Sequence, residues 1–218
     1  PESTVNYYMH IVHRYHEIHG DHGYPECIIL GVSFQKFEDW MEQEDWDSIE
    51  MELLNGLRIL EKAGADFSVI ATNTMHILFD ELQEKTTMPL ISIIDTTAEA
   101  ILEDGMSTVG LLGTRFTMNK PFYREGLEKH GIEVIIPEDK DREYIQRVIF
   151  EELSVGKLSE ESRKGFLGII DKLVEQGAEG IVLGCTEIPL LVRQADTDVK
   201  IFDTAVLHAE KALKYAIN

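Results

Sequence analysis

Short, continuously apolar runs alternate along this chain with longer stretches whose apolar positions recur every three or four residues, the pattern of buried strands separated by amphipathic helices. The runs at 26–32 (ECIILGV), 66–71, 89–94, 106–112 and 134–136, and the one inside 177–184, predict strands buried on both faces. Residues 47–63 place Ile49, Leu53, Leu57 and Leu60 on one helical face and are followed by Gly64, a natural helix terminator. Residues 75–82, 98–103, the stretch closed by Gly131, and 141–153 also read as helices. So does the segment that starts at Ser159 and presents Phe166, Ile169, Ile170, Leu173 and Val174. A further helix opens the chain and should stop near Gly20 or Gly23. Strand and helix in alternation build parallel sheets flanked by helices, an α/β fold.

The pattern occurs twice. GADFSVIATNT (64–74) overlays GAEGIVLGCTE (177–187) as Gly, Ala, acid, apolar run and polar turn, with Thr72 falling on Cys185. Further on, LISIIDTTAEAILEDG (90–105) resembles KIFDTAVLHAEKALKYAIN (200–218), with Asp95 and Thr96 on Asp203 and Thr204. The duplication predicts two pseudosymmetric α/β domains, 1–97 with 203–218 and 98–202, and a site in the cleft between them. It also leaves the first half one strand short. Residues 107–112 precede the helix containing Tyr123, whereas the helix that opens the chain has no such partner, so an apolar strand and a glycine-containing turn are expected upstream of Pro1.

Composition narrows the function classes. A net charge of −20 excludes the clustered Lys and Arg that nucleic-acid backbones require. No apolar run approaches the roughly 20 residues of a membrane helix. Two cysteines, Cys27 and Cys185, form neither a disulfide framework nor a CxxC pair, which fits a reducing, cytoplasmic setting. Cys27, inside the 26–32 run, is expected to pack as a small hydrophobe. His10, His13, His16, His19 and His22 step by three, so they spiral around a helix as a solvated face and do not converge on a metal.

The chemistry concentrates at the two overlaid turns, each at a strand end and a helix start. Backbone amides at Asn73, Thr74, Thr186 and Glu187 there can present donors to a carboxylate. A thiol at a helix N-terminus ionises more easily, so Cys185 reads as a base or nucleophile. Ser33 and Gln35, after the 26–32 run, are weaker ligand candidates. Ordinary capping and turn chemistry is the competing reading of Thr72, Asn73 and Thr74, and packing that of His76.

At these residues the chain resembles the aspartate/glutamate racemase family. PEST (1–4), ATNTMH (71–76), GLLGTRFTM (110–118), GCTEIPLL (184–191) and FDT (202–204) carry the resemblance, which runs through the whole chain. It implies a cofactor-independent isomerase with two pseudosymmetric α/β domains, often a dimer, that inverts an amino acid's α-carbon with one thiol on each face. Here Thr72 stands where the first cysteine is usual, a departure similar to a subgroup specific for L-aspartate and L-glutamate with a Thr/Cys pair. Carried over, Cys185 acts on one face of Cα and Thr72 flanks the other. Asn73, Thr74 and Thr186 bind the α-carboxylate or amino group, and Thr114, Thr117 and Gln35 the side-chain carboxylate. Glu187 orients the substrate ammonium or caps its helix. Related superfamily members isomerise maleate, racemise hydantoins or decarboxylate malonates, and a non-catalytic binder of acidic amino acids is the reading from another class.

Overall fold

A computed structural model describes residues 2–217, with the backbone alone for Glu2. Helix α1 (Glu2–His19) ends at Gly20, whose φ of 65° lets the chain turn away. Helices α2 (Phe34–Glu42) and α3 (Trp46–Lys62) follow, α3 capped by the Asp45 carboxylate on the Ser48 amide and closed before Gly64 at φ 94°. Strand β1 (Ser68–Val69) then leads through a 3₁₀ turn (Thr74–Leu78) into α4 (Phe79–Lys85) and β2 (Leu90–Ile91). Helix α5 (Ile93–Glu103) crosses to the second half, which contains β3 (Thr108–Gly113), α6 (Arg115–Asn119), α7 (Pro121–Glu128) and β4 (Glu133–Ile135). It continues with α8 (Asp139–Glu151), α9 (Glu160–Glu175), β5 (Gly180–Gly184), α10 (Ile188–Leu191), β6 (Lys200–Asp203) and α11 (Thr204–Ile217).

All strand pairs are parallel. One sheet pairs β1 with β2, and the other has the order β4-β3-β5-β6. Successive residues of its central strands serve opposite faces, as a pleat demands. Leu112, Ile181 and Leu183 join Ile145, Phe166 and Leu173 from α8 and α9 on one side, while Val109, Leu111 and Val182 join Ile93, Tyr123 and Leu127 from α5 and α7 on the other. Helices thus cover both faces, which explains why β3 and β5 read as unbroken apolar runs. In the first half, smaller clusters around Ile49 and Met75, and around Leu57, Leu82 and Met88, seat α3 against the turn after β1.

Several sequence expectations are corrected. Residues 26–32 are extended but belong to no strand, and Ile28, Ile29, Leu30 and Val32 are exposed, as is Cys27, which is therefore not a core residue. An apolar run becomes a strand only where a neighbouring ladder takes its amides and carbonyls. The counterpart of 26–32, β4, pairs with β3, whereas no strand lies beside 26–32 among the described residues. The run 89–94 is a strand only at Leu90–Ile91, because the Ser92 hydroxyl caps α5 by accepting from the Asp95 amide and pulls Ile93 and Ile94 into the helix. The helix expected at 75–82 begins as the 3₁₀ turn.

The second overlay shifts by three residues. Val69 pairs with Ile91 and its counterpart Val182 pairs with Phe202, so Ser92 corresponds to Asp203, and Asp95 lies one helical turn farther on. Both caps are oxygen side chains at a helix start, and Asp203 accepts from the amides of Ala205 and Val206.

Candidate active site

A chain of buried hydrogen bonds ties the turn after β1 to the start of α11 and to the end of β5. Asn73, 3% exposed, donates from Nδ2 to Thr204 Oγ1 at 3.0 Å, and the Thr204 hydroxyl donates to the carbonyl of Leu183 on β5 at 2.9 Å. Because that hydroxyl spends its proton on Leu183, it must accept from Asn73, which fixes the amide's orientation. Asn73 Oδ1 is left buried, without a partner among the described residues. An acceptor in that state costs free energy until a donor arrives.

Thr74 Oγ1 lies 3.3 Å from Thr114 Oγ1, which lies 3.2 Å from Thr117 Oγ1 and caps α6 by accepting from the Thr117 amide. These hydroxyls join the first half to the end of β3. Two glycines permit the approach, because a Cβ on Gly113 would stand 2.9 Å from the Gly184 carbonyl oxygen and one on Gly184 would stand 3.0 Å from Thr117 Cγ2.

Cys185 follows β5 directly and is buried. Its Sγ donates to Glu187 Oε2 at 3.0 Å, and the Thr186 hydroxyl donates to the same oxygen at 2.9 Å. Burial pushes the thiol well above its ordinary pKa and the Glu187 charge adds to this, against the opposing pull of the Glu187 and Ile188 amides. The expected easing of ionisation by a helix N-terminus is therefore overturned. Helix α10 has only four residues, too short a stack of peptide dipoles to outweigh desolvation and a facing carboxylate.

Thr72 is half-buried, and its carbonyl accepts from His76 Nδ1 at 2.8 Å. His76 Nε2 accepts from the Ile93 amide at 3.0 Å, which fixes the neutral tautomer. Behind it His208 donates from Nε2 to the Ile91 carbonyl and accepts at Nδ1 from the Tyr7 hydroxyl. Desolvation holds His76 at about 3 and His208 at about 4, so both are neutral.

Of the residues singled out from the sequence, Asn73, Thr74, Thr114 and Thr117 come together, as do Cys185, Thr186 and Glu187, with Thr72 beside Asn73. Gln35 does not join them; it is exposed on the first turn of α2 and donates to Asp39. Sequence reasoning missed Ser3 and Thr204 as members. Ser3 Oγ donates to Thr186 Oγ1 at 2.6 Å and lies 3.3 Å from Glu187 Oε1. Thr204 carried a signal, since it opens a helix in the duplicated segment; Ser3 carried one in the PEST stretch that bears the family resemblance, though no role at the site was assigned to it. Among the described residues no group of His, Cys, Asp and Glu forms a metal site.

A two-lobed α/β scaffold with a buried thiol hydrogen-bonded to a half-buried carboxylate, together with a racemase family match and racemase relatives, marks an isomerase of the racemase class. The chain belongs to the Asp/Glu/hydantoin racemase family, whose family model matches residues 1–212. It is 43% identical to a crystal structure of an Asp/Glu racemase candidate from Yersinia pestis, with a TM-score of 0.93 over 100% of this chain and 95% of that one. It is 39% identical, with a TM-score of 0.88 over the same shares, to an aspartate racemase homologue from Pyrococcus horikoshii. The broad-specificity amino-acid racemase RacX of Bacillus subtilis is 22% identical over 98% of this chain and 92% of that protein.

Proposed function

We propose that this protein interconverts the enantiomers of an acidic amino acid, L-aspartate or L-glutamate, using protein groups alone, with the Cys185 thiolate removing the α-proton on one face and Thr72 flanking the other. The observation that carries this reading is the hydrogen-bonded Cys185–Glu187 pair at the end of β5, the strand whose Leu183 is tied to Asn73 through Thr204. The unpartnered Asn73 Oδ1 suits a substrate ammonium as donor. Thr186 suits the α-carboxylate, and the hydroxyls of Thr74, Thr114 and Thr117 suit the side-chain carboxylate. In a dry cleft these fixed donors hold the carbanion-like state.

A hydroxyl is too weak an acid and base to work as a thiol does at neutral pH, so proton return at the Thr72 face is the slow step and passes through Thr72 or a water beside it. The reading is tested by following α-hydrogen exchange in D₂O on both enantiomers of aspartate and glutamate, with hydantoins and maleate in the same panel. Cys185→Ala abolishes exchange, and Thr72→Cys keeps or raises racemisation. Exchange that persists unchanged without Cys185 overturns the proposal, and tight binding of acidic amino acids without exchange converts it to a binder.

A further inference from the structure

The resting site is locked against its own chemistry. Cys185 keeps its proton because it is buried beside a carboxylate, and Glu187 is held in that position by the Thr186 hydroxyl at 2.9 Å, with Ser3 Oγ behind it, 2.6 Å from Thr186 Oγ1. Thr186 gives its one proton to Glu187, so the 2.6 Å contact with Ser3 is made with the Ser3 hydroxyl donating, and the two hydroxyls form a row of donors ending on the carboxylate. Ser3 is not loosely placed. Tyr7, one turn along the same face of α1, donates to the buried His208 of α11 at 2.9 Å and fixes the helix whose first turn carries Ser3.

We propose that Ser3 is a positioning residue that keeps the Cys185–Glu187 pair in its thiol–carboxylate form until an α-carboxylate displaces it. The inference rests on the racemase reading above. The incoming carboxylate is a second anionic acceptor beside Ser3 and Thr186, and it draws the Ser3–Thr186 row, and with it the Thr186 proton, away from Glu187. Glu187 is then left with the thiol as its donor at 3.0 Å. The Sγ–H bond breaks, an Oε2–H bond forms, and the pair changes from thiol and carboxylate to thiolate and carboxylic acid with no change in total charge. The thiolate electron pair is then free to take the α-hydrogen, and the neutral Glu187 no longer repels it. The substrate thereby creates the base that attacks it, while an empty site keeps an inert thiol.

The experiment reads the ultraviolet absorbance of the thiolate at neutral pH. It uses the full chain in a Cys27→Ser background, because Cys27 is exposed and would add its own signal, with Cys185→Ser as the blank. Succinate serves as the probe because it offers carboxylates without an α-amino centre to react. Expected is little thiolate in the free protein and a saturable rise in the thiolate signal with succinate. Ser3→Ala leaves Thr186 on Glu187 without its support, so the ligand-free thiolate-to-thiol ratio should rise, by less than the roughly fivefold worth of one whole hydrogen bond, and Ser3→Thr should restore the starting value. A succinate titration with no rise, or a Ser3→Ala protein indistinguishable from its parent in both states, overturns the proposal. The two readings fail separately: α-hydrogen exchange without a ligand-induced thiolate leaves the racemase and removes the gate, and a gated thiolate without exchange does the reverse.

Discussion

At the scale of single residues, the site depends on hydroxyls that accept and donate at once. Thr204 is fully buried, takes a hydrogen bond from Asn73 and gives one to Leu183. Thr204→Val keeps the shape and removes both, leaving a buried amide and a carbonyl unpaired, so a loss of about 1–3 kcal/mol is expected in urea unfolding. The same substitution frees the Asn73 amide to rotate, and the KM for aspartate should rise more than kcat falls. The polar turns that carry Thr72, Asn73, Cys185 and Thr186 were legible in the sequence because strand ends gather polar atoms. The protonation state of Cys185 was not, because it depends on which carboxylate folds against the sulfur.

At the scale of elements, the ends of β3 and β5 approach closely enough that their glycines are structural requirements. Gly113→Ala puts a methyl 2.9 Å from a backbone carbonyl that cannot move without shifting β5. A destabilisation of about 1–3 kcal/mol is expected, together with lower activity, because the Cys185 turn moves with the strand. Gly168, exposed inside α9 with nothing within 4 Å of an added Cβ, is the contrast. Gly168→Ala should stabilise by about 0.5–1 kcal/mol and leave activity unchanged. Unfolding midpoints of the two variants decide the matter, and equal effects would refute the close-approach argument. The runs that became β3, β4 and β5 each pair with a neighbouring strand; the run at 26–32 is also apolar and has no partner among the described residues.

At the scale of the molecule, two neutral histidines bind the helices and the first sheet into one body. His76 and His208 fall from an ordinary 6.5 to about 3 and about 4, so the unfolded chain takes up protons first as the solution is acidified. Their contribution is complete above about pH 6.5 and is lost as the pH falls through the window towards 4 and 3. For His208 alone the loss amounts to about 3 kcal/mol at most, from the depression of its pKa. His208→Gln keeps an amide donor for the Ile91 carbonyl and does not titrate, so its unfolding midpoint should change less than the parent's between neutral pH and pH 4. Comparing the two proteins cancels the background of a chain with a net charge of −20. Parallel pH profiles would refute the assignment.

The sequence by itself determined the alternation of strands and helices, the duplicated turns and the residue types at the site, because these follow from local periodicity and from the polar atoms that strand ends require. It did not determine which apolar runs become strands, the three-residue shift between the halves, or the company Cys185 keeps. Those depend on ladders and contacts between residues far apart in the chain. Ser3 reaches Glu187 across 184 positions, and Asn73 reaches Thr204 across 131. Only the packed tertiary structure brings such donors and acceptors within hydrogen-bonding distance, and only there does desolvation decide which of them holds a proton.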